Sequence, residues 1–117
     1  QTELIKEIHQ QLTEHLEQRF TIAELSKQYL INTSTLKEIF KAVYGQPIAT
    51  YMKEFRVRQA MKLLRETNDT IADIASQVGY QTQGKFSSAF QSIVKMSPRE
   101  YRKIQGIAPL DSFSKTL

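Results

Sequence analysis

A first group of hydrogen-bonding side chains recurs at the spacing of one face of a helix. It consists of Ser34, Lys37, Glu38 and Lys41, at positions i, i+3, i+4 and i+7. Positions with this spacing lie on the same side of an α-helix. The major groove of duplex DNA admits one helix, and its base edges are read by donors and acceptors of this kind. The chemistry that this pattern favours is hydrogen bonding to nucleic-acid bases.

A second group of the same kind lies further along the chain. It consists of Gly84, Ser87, Ser88 and Gln91, flanked by Gln83 and Lys85. These side chains are short and none is acidic, whereas a face exposed only to water usually carries Glu and Lys four residues apart. The pattern favours a DNA-reading helix. The alternative is a helical hairpin duplicated for packing alone.

The individual side chains indicate particular partners, each with a structural alternative. Lys37 and Lys41 could donate to O6 and N7 of guanine or to phosphates, or they could simply be solvated. Glu38 could accept from N4 of cytosine, or it could pair with a lysine of its own helix. Gln83 and Gln91 could read adenine or contact a phosphate.

Contacts to the DNA backbone would use hydroxyl groups, helix N-termini and cationic side chains. Thr33, Thr35 and Thr82 lie where two of the predicted helices begin. Several of the cationic side chains are expected to pack along the core or to form salt bridges instead. The cationic candidates are Arg56, Arg58, Arg65, Lys85, Arg99 and Arg102.

The positive charge of the chain is unevenly distributed. The formal net charge is +4. Residues 1–50 contain five Lys or Arg against six Asp or Glu, whereas residues 51–117 contain eleven against six. A basic surface attracts polyanions such as nucleic acid. A charge of this size is also common in ordinary domains, so it favours a nucleic-acid partner without deciding it.

The sequence offers no reactive centre. The absence of Cys excludes a disulfide framework, a thiolate nucleophile and a Cys-ligated zinc. His9 and His15 lie about 240° apart around a helix and do not share a metal-binding face. No Ser-His-Asp set, glycine-rich phosphate loop or carboxylate pair is evident. We expect no enzyme, no catalytic residue, no cofactor and no metal.

The chain carries no membrane or export signal that we recognise. No apolar run approaches the roughly 20 residues that span a bilayer. The polar start Gln1-Thr2-Glu3 is unlike a signal peptide. These features predict a cytoplasmic protein without a membrane partner. Because the chain begins with Gln, we interpret it as part of a longer protein with an N-terminal effector or dimerisation domain.

Apolar residues at helical spacing predict an all-α fold that positions these side chains. Candidate capping residues mark where the helices begin, and no strand pattern is present. The predicted helices cover residues 3–19, Thr21 to about Leu30 with Glu24 completing a capping box, Asn32 to Gly45, about Ala49 to Arg65, a segment after Thr70, a segment after Thr82, and a last helix opening at Ser97-Pro98.

Two parts of the chain repeat each other. Residues 21–25 match residues 70–74 at an offset of 49, while Leu36 and Phe40 match Phe86 and Phe90 at an offset of 50. One extra residue therefore lies in the turn of the second copy. Helix, short turn and helix is the order of a helix-turn-helix unit. The joining helix would be about 25 Å long, which could place two recognition helices about one DNA turn, or ~34 Å, apart.

The second half of the chain carries the most specific motifs. These are Ile71-Ala72-Asp73-Ile74-Ala75, Gly79-Tyr80 and Ser97-Pro98-x-x-Tyr101-Arg102. Further matching positions are Phe40, Gly45, Tyr51, Arg56-x-x-x-Ala60-x-x-Leu63-Leu64, Phe86 and Phe90. Together they resemble the C-terminal DNA-binding domain of the AraC/XylS family of transcription regulators, over roughly residues 5–104.

The resemblance implies about seven helices, arranged as two helix-turn-helix subdomains joined by a long helix. It also implies that the third and sixth helices enter adjacent major grooves of double-stranded DNA, with the two groups above as base readers. RNA polymerase and an N-terminal sensing domain are further partners that it suggests. We divide the chain into residues 1–47, the linker helix 48–66, residues 67–105 and a tail 106–117.

The sequence departs from the family pattern in both units. Glu38 and Ser88 stand where the family commonly has Arg, and Lys95 replaces a common Gly. Gly84 lies inside the second recognition helix, at a cost of up to ~1 kcal/mol relative to Ala. These departures predict that the second unit contributes mainly backbone contacts. A protein-interaction module using the same helix faces is the alternative function.

Overall fold

The computed structural model describes residues 2–106, and its only regular elements there are helices. This confirms the all-α prediction. The predicted tail lies outside the described residues except for Gly106. The helices are α1 (Thr2–Glu14), α2 (Ile22–Gln28), α3 (Thr33–Tyr44), α4 (Ile48–Glu66), α5 (Ile71–Gln77), α6 (Gln83–Val94) and α7 (Pro98–Tyr101), and α7 continues as a wider π-helical turn over Arg102–Gly106. Within this range, none of the helices combines the length and the apolar character needed to cross a bilayer.

The chain divides into two compact units between Arg56 and Val57, inside α4. We refer to the part up to Arg56 as the first unit and to the part from Val57 as the second unit. Helix α4 therefore contributes to both units. The interpretation of residues 48–66 as a separate linker, between units at 1–47 and 67–105, stays a prediction.

The first unit has its own apolar core, built from the first four helices. Its central residues have no accessible surface or almost none, and burying each large apolar side chain contributes about 1.5–3 kcal/mol. The buried residues are Ile5, Ile8 and Leu12 of α1, Leu25 of α2, Leu36 and Phe40 of α3, and Met52 of α4.

The second unit repeats this arrangement around the later helices. Its core is likewise buried and includes two phenylalanines of α6, whose rings are tilted by 54° with their centroids 5.8 Å apart. The buried residues are Val57, Ala60 and Leu64 of α4, Ile74 and Ala75 of α5 with Val78, Phe86, Ala89 and Phe90 of α6, and Tyr101 of α7. The aromatic residues of α6 and α7 therefore pack in the core.

The predicted capping residues begin the helices as expected. The side chain of Thr21 accepts from the backbone N–H of Glu24 at 3.0 Å, and the Glu24 carboxylate accepts from the Thr21 N–H at 2.8 Å. Thr70 accepts from the N–H of Asp73 at 3.0 Å. Each cap satisfies donors that the first turn of a helix leaves without an intrahelical partner.

Helix α1 is shorter than predicted, because it ends at Glu14 rather than at residue 19. The following residues form a turn whose Leu16 and Gln18 carbonyl groups accept hydrogen bonds from the guanidinium of Arg56. Apolar spacing continued to Leu16 in the sequence, so it gave no sign of this end. A long-range contact with α4 therefore holds the turn that follows α1.

Helix α2 ends at Gln28 because Leu30 adopts a left-handed backbone conformation with φ of 53°. The Ile31 N–H donates to the Ser26 carbonyl at 3.0 Å, which is the long bond of a Schellman turn. In the second unit Gly79 has φ of 91°, and the Tyr80 N–H donates to the Ala75 carbonyl at 2.9 Å. Both units therefore make the same helix-ending turn.

Candidate nucleic-acid interface

Helix α3 presents the first group of predicted residues on one exposed face. Its opposite face is anchored by Leu36 and Phe40, which have no accessible surface. The Asn32 carboxamide oxygen accepts from the N–H groups of Ser34 at 2.8 Å and Thr35 at 3.4 Å, which fixes the start of the helix. We call the exposed residues Ser34, Lys37, Glu38 and Lys41 the first polar stripe.

The charged members of the first polar stripe do not neutralise one another. Within residues 2–106, no ion pair joins Glu38 to Lys37 or Lys41. The alternative in which Glu38 pairs with a lysine of its own helix is therefore not formed in this conformation. Two ammonium groups and one carboxylate are available to a partner that approaches this face.

Helix α6 presents the second group in the same way. Thr82 caps it by accepting from the Lys85 N–H at 3.1 Å, and its inner face is anchored by Phe86 and Phe90. Ser87 is half-buried, whereas the other members are exposed. We call Gln83, Gly84, Ser87, Ser88 and Gln91 the second polar stripe.

Gly84 has no reason within the chain to be a glycine. A Cβ atom built at this position meets no atom within 4 Å, and the residue lies in an ordinary helical turn. Glycine in a helix interior costs about 1 kcal/mol relative to alanine. The open space beside Gly84 is therefore available to an incoming surface that comes closer than a side chain would allow.

The prediction that Arg56 contacts DNA phosphates is wrong. Its side chain is only 3% exposed, and its guanidinium donates to the carbonyl groups of Leu16 and Gln18. The sequence contained a signal for this, because Arg56 lies on the buried face of α4 between Met52 and Ala60, four residues from each. Arg56 therefore connects α4 to the turn after α1.

Arg102 and Arg65 are also engaged within the second unit. Arg102 donates from Nε to the Leu64 carbonyl and from Nη2 to the Thr67 carbonyl, both at 3.2 Å. Arg65 donates to the Tyr101 hydroxyl at 2.7 Å. Of the remaining backbone candidates, Thr35 is half-buried and the others are exposed, namely Thr33, Arg58, Thr82, Lys85 and Arg99.

An aromatic cluster supports the C-terminal end of α3. His9 stacks on Tyr44 with ring centroids 4.4 Å apart, and its Nε2 lies 2.7 Å from the hydroxyl oxygen of Tyr51. Burial lowers the pKa of His9 below its ordinary value of 6.5. This histidine therefore links α1, α3 and α4, and its burial favours the neutral form.

Sequence reasoning missed an apolar groove beside the first polar stripe. The groove has a volume of about 520 Å³. Its apolar wall comes from the first residue of α2, from the start of α4 and from the proline that precedes α4. It is lined by Ile22, Lys37, Glu38, Lys41, Pro47, Ile48 and Ala49.

Two helix-turn-helix units with buried inner faces and polar outer faces match a known family. The family described as "Helix-turn-helix domain" matches residues 25–104. The chain belongs to this family. A putative AraC-like transcription regulator of Streptomyces lividans is 39% identical over 84 residues, which are 72% of this chain and 28% of that protein. The recognition as an AraC-type domain is thus confirmed.

Other relatives and solved structures agree with the AraC-type assignment. The transcriptional activator RhaR of Mannheimia succiniciproducens is 34% identical over 91 residues, 78% of this chain and 33% of that protein. The C-terminal domain of AraT, a response regulator from Geobacillus stearothermophilus, superimposes with a TM-score of 0.84 at 27% identity, covering 90% of this chain and 88% of that chain. The AraC-type domain thus spans about a third or less of these two curated relatives.

A solved complex with DNA shares the fold. The DNA-binding domain of AdpA, determined with a target DNA, has a TM-score of 0.81 at 22% identity and covers 86% of this chain and 90% of that chain. At this level of identity the match concerns the fold alone. The chain has the fold of an AraC-type DNA-binding domain, and which of its residues contact DNA is a separate question.

Proposed function

We propose that this domain binds a specific site in double-stranded DNA, with α3 and α6 each lying in a major groove. The observation that carries the proposal is the pair of exposed polar stripes, each on a helix whose other face is fully buried. A recognition helix needs one face fixed by the core and the other free to meet base edges. Both units satisfy this requirement.

In the first unit, we assign base readout to the first polar stripe. Lys37 and Lys41 can donate to guanine, and Glu38 can accept from N4 of cytosine. Ser34, at the start of α3, lies where recognition helices commonly approach bases. Thr33 and Thr35 are assigned to the backbone at the N-terminus of the same helix.

In the second unit, the second polar stripe is assigned to the DNA face, with Gln83 and Gln91 as candidate adenine readers. Its members are neutral, so their attraction to phosphates is weaker than that of the lysines of α3. Thr82, Lys85 and Arg99 are assigned to the backbone. Arg56 has no place in the interface, because it is buried.

For the whole regulator, we propose a bacterial transcription factor that acts in the cytoplasm. An N-terminal effector or dimerisation domain and an interaction with RNA polymerase belong to this proposal. The printed descriptions of the relatives as transcription regulators and activators support it, and a catalytic role has no comparable support.

The proposal can be tested by selecting duplexes from a random pool and measuring their binding by fluorescence anisotropy across a salt series. Phosphate contacts make log K fall linearly with log salt, with a slope of about −0.9 per contact. A selected motif in two parts about one turn apart would support both recognition helices. No binding at low salt would overturn the proposal and favour the protein-interaction alternative.

Variants then separate base readout from nonspecific electrostatic attraction to DNA. The double variant Lys37→Ala, Lys41→Ala is expected to lose specific binding, and its salt slope should fall by up to ~1.8 if both lysines contact phosphates. The matched control is Lys6→Ala, Lys62→Ala, which removes the same charge from exposed positions outside both stripes. Equal losses in the two double variants would show nonspecific electrostatics.

A further inference from the structure

The groove beside α3 combines an apolar wall with a charged rim. Ile22 begins α2, Ile48 and Ala49 begin α4, and Pro47 directly precedes α4. Together with three side chains of α3, these residues line a volume of about 520 Å³. The rim consists of Lys37, Glu38 and Lys41 of the first polar stripe. The groove and the proposed DNA-reading face therefore share three side chains.

The size and chemistry of this groove match a small-molecule site. Such sites occupy about 300–1,000 Å³ and are mostly apolar, with a few polar groups that orient the ligand. Two ammonium groups against one carboxylate leave the rim positive. Lys37 and Lys41 are one helical turn apart, so both can approach the same anionic group. The matching ligand is an anion with an apolar body.

The second unit indicates that this groove is not a general requirement of a DNA-binding face. At the offsets of 49 and 50, Lys37 and Lys41 correspond to Ser87 and Gln91. The apolar Ala49 corresponds to a cation, Arg99. If an apolar wall between two lysines served DNA binding alone, both units would be expected to contain it. The full set of corresponding positions is Ile71, Ser87, Ser88, Gln91, Ser97, Pro98 and Arg99.

We propose that the groove binds an amphipathic organic anion, such as an aromatic carboxylate, and that this ligand excludes DNA from α3. The carboxylate contacts Lys37 and Lys41, and the apolar body lies against Ile48 and Ala49. DNA and the ligand compete for the same lysines, so the ligand raises the apparent Kd for DNA by a factor of one plus the ratio of its free concentration to its own Kd. This inference rests on the proposed function, because it assigns regulation to the same face.

The test uses 2-naphthoate as the probe and neutral 2-naphthamide as its matched control. We expect 2-naphthoate to shift the backbone amide resonances of Ile22, Lys37 to Lys41, Ile48 and Ala49 in a two-dimensional NMR titration. The corresponding residues of the second unit should not shift. Equal shifts with 2-naphthamide would overturn the inference, because binding would then not depend on charge.

Two kinds of variant locate the probe within the groove. Lys37→Ala and Lys41→Ala should each weaken 2-naphthoate binding roughly two- to fivefold, as expected for an exposed charge pair. Ala49→Leu fills the groove with a good helix former and should abolish the shifts while the helix content stays unchanged by circular dichroism. Lys62→Ala is the control, because it removes the same charge from an exposed position that does not line the groove. Unchanged binding to the Lys41→Ala and Ala49→Leu variants would overturn the site.

A competition experiment distinguishes failure of this inference from failure of the proposed function. Adding 2-naphthoate to the complex with a selected duplex should lower the anisotropy, and 2-naphthamide should not. If DNA binds but 2-naphthoate gives no shift, or binds without displacing DNA, the inference is overturned and the proposed function stands. If 2-naphthoate binds while no duplex does, the proposed function fails, and with it the regulatory inference.

Discussion

The two units place glycine and a non-glycine residue in opposite order at two equivalent left-handed backbone positions. Each unit needs a left-handed residue after the first helix of its hairpin and another after the second. The first unit uses Leu30 with φ of 53° and Gly45 with φ of 83°, whereas the second uses Gly79 with φ of 91° and Lys95 with φ of 70°. Leu30 and Lys95 thus accept a strain of about 1–2 kcal/mol that glycine avoids.

The crosswise pattern indicates that topology constrains backbone conformation more tightly than it constrains side chains. The turn in the first unit holds a leucine that is 92% exposed, so burial does not compensate its strain. Lys95 has a partial compensation, because its Nζ donates to the Ser92 carbonyl at 2.9 Å near the end of α6. The following predictions use this comparison, beginning with the largest effect.

The largest difference between the units should be the stability that is lost when Arg56 of the first unit or Arg102 of the second unit is replaced. Arg56→Ala is expected to destabilise the first unit by about 3 kcal/mol, because it removes a buried side chain and leaves the Leu16 and Gln18 carbonyl groups without a charged donor. Arg102→Ala should cost about 1 kcal/mol, since Arg102 is only half-buried. Hydrogen exchange of α1 and α2 amides against α5 and α6 amides measures the two effects separately. Equal protection losses from both variants would contradict the assignment of Arg56 as the stronger tie.

Gly84→Ala should separate stability from binding in the second unit. We expect the free domain to gain up to ~1 kcal/mol in the free energy of unfolding, because the new methyl group meets no atom within 4 Å. Binding to a selected duplex should weaken about tenfold, or about 1.4 kcal/mol, if DNA comes close to this backbone. Thermal unfolding and anisotropy measure the two quantities.

A matched change in the first unit controls for a general effect of helix stabilisation. Thr50→Ala, near the start of α4 and outside both polar stripes, also introduces a better helix former at an exposed position and should leave DNA binding unchanged. If Gly84→Ala leaves DNA binding unchanged, the open space beside Gly84 is not part of the interface.

Replacing the strained residues with glycine should stabilise both units, the first more than the second. Leu30→Gly is expected to add about 0.5–1 kcal/mol to the stability of the first unit, because relief of strain exceeds the added chain entropy. Lys95→Gly should add less, since it also removes the hydrogen bond to the Ser92 carbonyl. Denaturant unfolding of both variants tests the order. A loss of stability in Leu30→Gly would mean that the leucine makes a stabilising contribution despite its exposure.

The smallest expected effect is a pH dependence confined to the first unit. Burial lowers the pKa of His9 in the folded state, so the unfolded chain binds the proton more readily. Stability is therefore full above pH 6.5 and falls as the pH drops below that value towards the lowered pKa. We expect a small loss of stability on acidification, measured by hydrogen exchange of α1 and α3 amides. His9→Gln should flatten this profile, and an unchanged profile would assign the effect to another group.

Local signals in the sequence predicted where the helices begin, whereas contacts between residues far apart in the chain were not predicted. Thr21, Asn32, Thr70, Thr82 and Ser97 all cap helices as expected, because a cap depends only on residues within one turn. The predicted end of α1 was wrong. The turn that follows the helix is held by Arg56, forty positions from Leu16, and helical spacing carries no information about such a contact.

The candidate site divides along the same line. Helical spacing correctly predicted which side chains share the exposed faces of α3 and α6, since that follows from periodicity and burial of the opposite face. Spacing did not reveal the groove, because Ile22 and Ala49 come from separate helices that meet only in the folded unit. The DNA contacts of the two polar stripes stay a prediction, because base readout depends on a partner molecule.

The hydrogen bond between Arg56 and Leu16 has a consequence for the order of folding. The capped hairpins close over short distances along the chain, whereas this bond joins residues forty positions apart. Closing a longer loop loses more chain entropy, so we expect the tie to form after the hairpins have docked. An interaction absent from the transition state affects unfolding rather than folding rates. Arg56 therefore acts as a late latch that sets how long the first unit stays closed.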